Sequence, residues 1–291
     1  MGRPFPVAAS SAVELALVGP SRPAEVVAAT PHAVYLQLTD PDATMICLAS
    51  AEAVRVPCAV VLETKGLPPA VPTGTIASVG GSTIHIGAAT YRVGRWWRPP
   101  RPRGLGAVPP ARLANAVRWL TGQVADPLDA AGREAVAELV GVIAEGGRPD
   151  HAVAQLLGRG PGLTPTGDDV LAGALVSLTA LGAPAAASLA TAVLRAAPDS
   201  TTTVSMALLR HAARGECIPQ LSDLLVAVAG GGEDPAAGVL PRAAGALLAV
   251  GHCSGAGLLH GVLVGVAIAH SRLARRVIPG SAAAASSPAA A

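Results

Sequence analysis

Aromatic residues are nearly absent. The 291-residue chain holds one Phe, two Tyr and three Trp, 2% of the sequence, although 51% of its residues are hydrophobic. Its core must therefore be built from Ala, Val and Leu, with backbones packed closely. Charge is also sparse: 21 basic against 19 acidic residues, net +2. Without a strong basic field, a polyanion-coating role is excluded as the default, and no nucleic-acid partner is expected. The four cysteines, Cys47, Cys58, Cys217 and Cys253, lie far apart with no CxxC pair. That excludes a zinc ribbon, and a disulfide framework is not expected in a chain of this length. The opening Met1-Gly-Arg-Pro-Phe-Pro has one Arg and no apolar stretch, unlike a secretory signal, and Pro6 does not fit a myristoylation motif. The expected home is the cytoplasm.

Gly and Pro are plentiful, 33 and 26, but together only about a fifth, below the level at which composition alone argues disorder. In the first hundred residues, short β-branched runs at Val13–Val18, Glu25–Ala28, Ala33–Leu38, Thr44–Leu48, Val54–Leu62, Thr75–Val79 and Thr83–Ile86 alternate with Pro, Gly, Asp and Ser. This spacing predicts a small barrel or sandwich, with a hairpin turn at Gly80-Gly81 and Tyr91-Arg-Val closing the sheet. Arg95-Trp-Trp-Arg-Pro-Pro-Arg-Pro-Arg then marks a boundary. It reads as a linker whose Trp rings pack between domains, with an aromatic-basic ligand patch as the alternative.

Beyond Pro110 the period turns helical. Helices are expected at Ala111–Gly122, Ala130–Glu145, Asp150–Leu157, Asp168–Leu181, Ala185–Arg195, Thr203–Arg214, Ile218–Ala229, Gly238–Val250 and Gly255–Arg275. The fold class is thus α+β: a β-rich barrel or sandwich-like domain (1–98), a Pro/Arg-rich linker (99–109), an all-helical domain (110–278) and a disordered low-complexity tail (279–291). Residues 243–269 carry no Asp, Glu, Lys or Arg and are long enough to span a bilayer. Two His, a Cys, a Ser and six Gly favour instead two buried helices joined by a turn at Gly251–Gly255, with no membrane partner.

Three clusters could carry chemistry. The first is Gly158-Arg-Gly-Pro-Gly-Leu-Thr-Pro-Thr-Gly-Asp-Asp169, directly before an apolar helix. Thr166 is placed to cap that helix, with Asp169 completing a capping-box-like pattern. Helix-start N–H groups can hold an anion, but no GK[ST] follows, so this is not a P-loop. Asp168 and Asp169 repel a phosphate unless magnesium or Arg159 intervenes, and they suit an amide or amine donor. The elaboration of the loop exceeds what capping needs. The second cluster is Gly251-His-Cys-Ser-Gly-Ala-Gly-Leu-Leu-His-Gly261. Gly257, Gly261 and Gly265 recur every four residues and leave a helix face bare for close packing. Cys253 sits where a helix start favours a thiolate. Gly251-x-Cys253-x-Gly255 has the letters of a nucleophile elbow, but the preceding residues read as helix and no acid partner is identifiable. The third is Asp199-Ser-Thr-Thr-Thr-Val-Ser205, a capped helix start or a hydroxyl-rich rim beside the other loops. His211 is expected on that helix's surface. No H-x-x-x-H, D-x-D or EF-hand pattern supports an all-protein metal site.

These clusters, in this order, resemble the family of the AllH-type subunit of oxamate carbamoyltransferase. The match rests on GRGPGLTPTGDD at 158–169, on Ser205, Leu208, Leu209 and Gly215, and on GHCSG…L..G at 251–261. The third motif departs from the family pattern, in which GHSSG is followed two places on by an acidic residue. Here Cys253 replaces the first Ser, and Gly257 stands where the acid would be. The resemblance implies carbamoyl transfer between carbamoyl phosphate and an amide such as oxamate, in concert with other subunits or further copies of the chain. It also implies a small anionic substrate. On that basis the loop holding Gly160, Gly162, Thr164, Thr166, Gly167, Asp168 and Asp169 binds the carbamoyl or acceptor amide. Arg159 neutralises phosphate or carboxylate, His252 transfers a proton, and Ser205, Cys253 and Ser254 line the site. No cofactor is firmly implied, with magnesium a candidate beside Asp168 and Asp169. The alternative is a non-catalytic anion-binding or scaffold subunit.

Overall fold

The computed structural model describes residues 3–39, 42–66, 71–230 and 238–270. Period-2 burial in the first hundred residues produces eight strands: β1 (Phe5–Ser10), β2 (Arg22–Ala29), β3 (Ala33–Leu38), β4 (Met45–Ala49), β5 (Ala59–Leu62), β6 (Ile76–Gly80), β7 (Thr83–Ile86) and β8 (Ala89–Trp97). They close into a barrel in the order β1-β5-β4-β3-β2-β6-β7-β8. Most neighbours are antiparallel, but β4 pairs parallel with β5, and β1 pairs parallel with β8. The Gly80-Gly81 turn joins β6 to β7 as expected, with Gly81 and Ser82 both at positive φ.

Two local differences from the sequence reading have physical causes. Val13–Val18 is not a strand. A 3-10 turn at Ser11–Val13, capped by the Ser10 hydroxyl accepting from the Ala12 N–H at 3.1 Å, leads into α1 (Glu14–Val18). Val13, Ala16 and Leu17 are buried while Leu15 is 86% exposed, which is helical spacing in a run too short to reveal its period. β1 carries no strand signal in the sequence, because Pro4 and Pro6 flank Phe5. Pro6 is tolerated because β5 pairs only with Val7–Ala9, leaving that end of β1 without a β5 partner. β8 continues through Trp97, so Arg95, Trp96 and Trp97 lie in the barrel wall.

The helical region comprises α2 (Pro110–Thr121), α3 (Ala130–Ala144), α4 (Asp150–Leu156), α5 (Thr166–Leu181), α6 (Ala185–Ser200), α7 (Thr203–Ala213), α8 (Pro219–Gly230), α9 (Val239–Leu248) and α10 (Ser254–Ala269). The apolar stretch 243–269 is thus broken into α9 and α10 at a turn around Gly251. Among the described residues no helix is long and apolar enough to cross a membrane. The expected continuation of α10 toward Arg275, and the tail, lie outside the described residues.

α5 and α10 form the centre of this region, each buried along nearly its whole length. They run parallel. The positions of Asp169, Gly173 and Ser177 face Gly257, Gly261 and Gly265 in step. A Cβ at Gly173 would lie 2.2 Å from the Leu258 carbonyl oxygen, and one at Gly261 2.2 Å from that of Val170. The glycine stripe is therefore a helix-packing face, and it sets both helix N-termini side by side.

Gly261→Ala should destabilise the fold by about 3 kcal/mol or more, because backbone must move to admit the methyl group. Gly245→Ala, on an exposed face of α9 with nothing near its Cβ, should stabilise by about 0.5–1 kcal/mol. Chemical denaturation of the two variants checks the contrast.

Candidate functional site

The parallel pairing of α5 and α10 brings the first two sequence clusters together. Pro165, not Thr166, occupies the cap position of α5, and no side chain caps it. Thr166 is the first helical residue, and its hydroxyl turns to the Cys253 Sγ at 3.8 Å. Thr164 Oγ1 lies 2.9 Å from Ser254 Oγ. Gly160 is at positive φ, and a Cβ there would lie 2.8 Å from the Thr166 nitrogen. Gly167 packs its bare Cα against the Leu156 carbonyl. Gly162 also has positive φ and sits at the exposed loop tip.

The two aspartates have different environments. Asp168 is 1% exposed. Its Oδ1 accepts the Gly158 N–H at 2.8 Å, and its Oδ2 accepts the Ser205 hydroxyl at 2.6 Å and also that of Thr201. Thr202 adds a bond to the Leu163 carbonyl, 2.5 Å, and caps α7 through the Ser205 N–H. Asp168 is thus the joint that ties the loop, α5 and α7, and Ser205 serves it. Thr201, the third donor, belongs to the hydroxyl-rich run but was not singled out, because nothing in the sequence distinguishes it from its Thr neighbours.

Asp169 is 7% exposed, and its Oδ2 is buried with no hydrogen-bond partner. A Cβ at Gly257 would come 2.7 Å from the Asp169 Cβ, so only glycine there lets the carboxyl sit between the helices. Burial, assisted by the charge of Asp168, pushes its pKa up to about 8, while the Ser254 hydroxyl beside it pulls the other way. An acid of this kind can exchange a proton near neutrality.

The remaining expected residues are not part of this cluster. Arg159 donates from Nη1 to both oxygens of Asp129, at 2.8 and 3.0 Å, and from Nε to the Gln155 carbonyl. The N–H groups of Gly167, Asp168 and Asp169 are taken by the carbonyls of Arg159 and Pro165. An anion at this helix start therefore meets fewer free donors than the sequence suggested. His252 is exposed on the turn before Cys253 and has no hydrogen bond among the described residues. His211 is buried, not on the surface. Gly215, at positive φ, turns the chain so that Glu216 lies 2.6 Å from His211 Nδ1. Sequence reasoning also missed His260, which is mostly buried with Nδ1 4.0 Å from Asp126. Burial lowers its pKa. Its place inside the second cluster, two turns along from Cys253, was the available signal. Among the described residues no group of three or more His, Cys, Asp and Glu could hold a metal.

Residues 156–266 match the model of the family described as oxamate carbamoyltransferase subunit AllH. The match contains all three clusters, so the resemblance read from them is borne out over this part of the chain. No curated protein and no solved structure matches.

Asp169 keeps its proton in the folded state well above the pH at which the unfolded chain loses it. Between about pH 4 and 8 the native state binds more protons than the unfolded one, so this residue's contribution to stability falls as pH rises and levels off above about 8. Asp169→Asn should therefore gain stability relative to the unaltered protein across that window. Melting curves of both proteins from pH 5 to 9 check it.

Proposed function

We infer that this chain is a subunit of a carbamoyltransferase-like enzyme, acting on carbamoyl phosphate and a small amide or carboxylate such as oxamate. The observation that carries this reading is the Asp169 carboxyl. It is buried, has one oxygen without a partner, and is seated where the two family motifs meet. In such a transfer the acceptor nitrogen bonds to the carbamoyl carbon. The carbon–oxygen bond to phosphate breaks, phosphate departs with the electron pair, and the nitrogen gives up a proton. A carboxyl with a pKa near 8 suits a hydrogen bond to the amide and acceptance of that proton. Ser254 lies beside it, and Thr164, which pairs with Ser254, together with Thr166 and Cys253 at the same helix starts orients the carbamoyl group. His252, at the turn, is the candidate for carrying the proton outward. The adjacent N-termini of α5 and α10 add positive potential where negative charge develops.

One observation favours the second reading, a non-catalytic binding or scaffold subunit. Arg159 is already spent on Asp129, so phosphate would need a cation from elsewhere. In the catalytic reading a partner subunit supplies it.

The test is a thermal-shift screen of the full chain with carbamoyl phosphate, phosphate and oxamate, each with and without magnesium. A ligand at a hundred times its Kd adds about 2.7 kcal/mol. Carbamoyl phosphate or oxamate should raise the melting temperature, and Ser254→Ala or Asp169→Asn should weaken binding roughly tenfold, the cost of about one hydrogen bond. Turnover should appear once partner subunits are added. If Asp169→Asn leaves binding and turnover intact, the assignment of the cluster is wrong.

A further inference from the structure

A cleft of about 670 Å³ opens away from the motif cluster, between the barrel and the C-terminal end of α7. One wall carries the 3-10 turn at Ser11–Val13 and α1, with β2 and the residues leading into β4. The other wall is α7. Two arginines of α7 and its cap, Arg210 and Arg214, line it, and Arg22 of β2 lies on the opposite wall. Asp42 is the one carboxylate among the described lining residues. Its backbone carbonyl accepts from Arg210 Nη1 at 2.6 Å, which anchors that guanidinium across the cleft with its other N–H groups left over. Glu216 lies behind Arg214, 3.4 Å from its Nε, and Arg214 Nη2 lies 2.9 Å from His211 Nδ1. This network fixes the direction of Arg214 and offsets part of its charge. Burial lowers the pKa of His211. The rest of the lining mixes the hydroxyl residues Ser11 and Thr44 with apolar side chains, Val13, Leu15 and Met45 among them. Leu15 is 86% exposed, an unusual position for a large aliphatic side chain at the edge of a basic cleft. The backbone is strained here as well: Ala43, on the rim, has φ +47°, a conformation costly for a residue with a Cβ.

We propose that this cleft is a second ligand site, taking an organic anion whose phosphate or carboxylate group meets Arg210 and Arg214 and whose apolar body lies on Leu15, Val13 and Met45. Its volume falls in the range of small-molecule sites, and apolar surface beside convergent polar groups is what fixes a ligand's orientation in one. Planar guanidinium groups favour two-pronged contacts to carboxylate or phosphate oxygens. The site does not depend on the function proposed for the motif cluster, because none of its residues belongs to that cluster.

The test is calorimetric titration of the full chain at low salt with phenyl phosphate, benzoate and inorganic phosphate. The first two share an apolar body and differ in the anion. The third has no apolar body. Phenyl phosphate or benzoate should bind with a Kd below about 1 mM, and inorganic phosphate at least tenfold more weakly. Arg210→Gln should weaken the organic anion roughly tenfold. Leu15→Glu, a surface change that leaves the fold intact, should do the same by placing a carboxylate at the rim. Asp169→Asn should leave this binding unchanged. The proposal is overturned if no probe binds saturably below 10 mM, if inorganic phosphate binds as tightly as phenyl phosphate, or if Leu15→Glu has no effect. It also fails if Asp169→Asn abolishes the binding, which would place the probe at the motif cluster instead.

Discussion

The helical region depends on how closely α5 can approach α10. Each helix presents small residues at every fourth position, and the backbone of one lies where side chains of the other would be. Dispersion between such surfaces is dense, and no bulky group could be added without parting them. The scarcity of aromatic residues suits this contact. Between these helices there is no room for a ring, and Ala, Val and Leu fill the layers around them. The same contact decides the direction of the pair. Because the helices run parallel, the loops that precede them come to one end, and residues distant in sequence meet at Thr164–Ser254 and Thr166–Cys253. Two aligned dipoles side by side repel modestly, and packing along both helices offsets that cost.

At that end, two adjacent acids have opposite tasks. Asp168 is satisfied by three donors and fixes α7 to the loop. Asp169, one residue on and so on a different helix face, is left with an idle oxygen. A fully bonded carboxylate holds structure, and an incompletely bonded one stores the electrostatic cost that chemistry can draw on. The bare Cα of Gly257 has a specific meaning here. It is the depression into which Asp169 fits, so a carboxylate at position 257 and Asp169 in its present seat exclude one another.

Much of this was legible in the sequence. The barrel, most strand positions and the succession of helices followed from period and punctuation, and Gly257, Gly261 and Gly265 announced a packing face. The motif cluster was found because a loop so rich in Gly, Pro and Thr is more than a cap requires. What escaped were features that depend on where a chain segment ends up. Val13–Val18 is too short to show whether its period is two or nearly four. Arg159 looked like an anion ligand, but Asp129, thirty residues earlier, claims it. Asp168 and Asp169 are indistinguishable as letters and opposite in environment. His211 lies on a helix whose exposed side could not be identified until Glu216 folded back over it.

The barrel's closure has a consequence for the birth of the molecule. β1, the first of these eight strands in chain order, rests on β5 on one side and on β8, the last of the eight, on the other. Phe5 reaches its cross-strand neighbour, Tyr91, only after every intervening strand has been synthesised, and the two rings then stack with centroids 5.6 Å apart. A nascent chain must keep one edge of β1 unpaired throughout that interval, an exposure that invites wrong partners. Pro6, which comes into register with Arg92 only when β8 arrives, carries no backbone N–H to offer a chance neighbour.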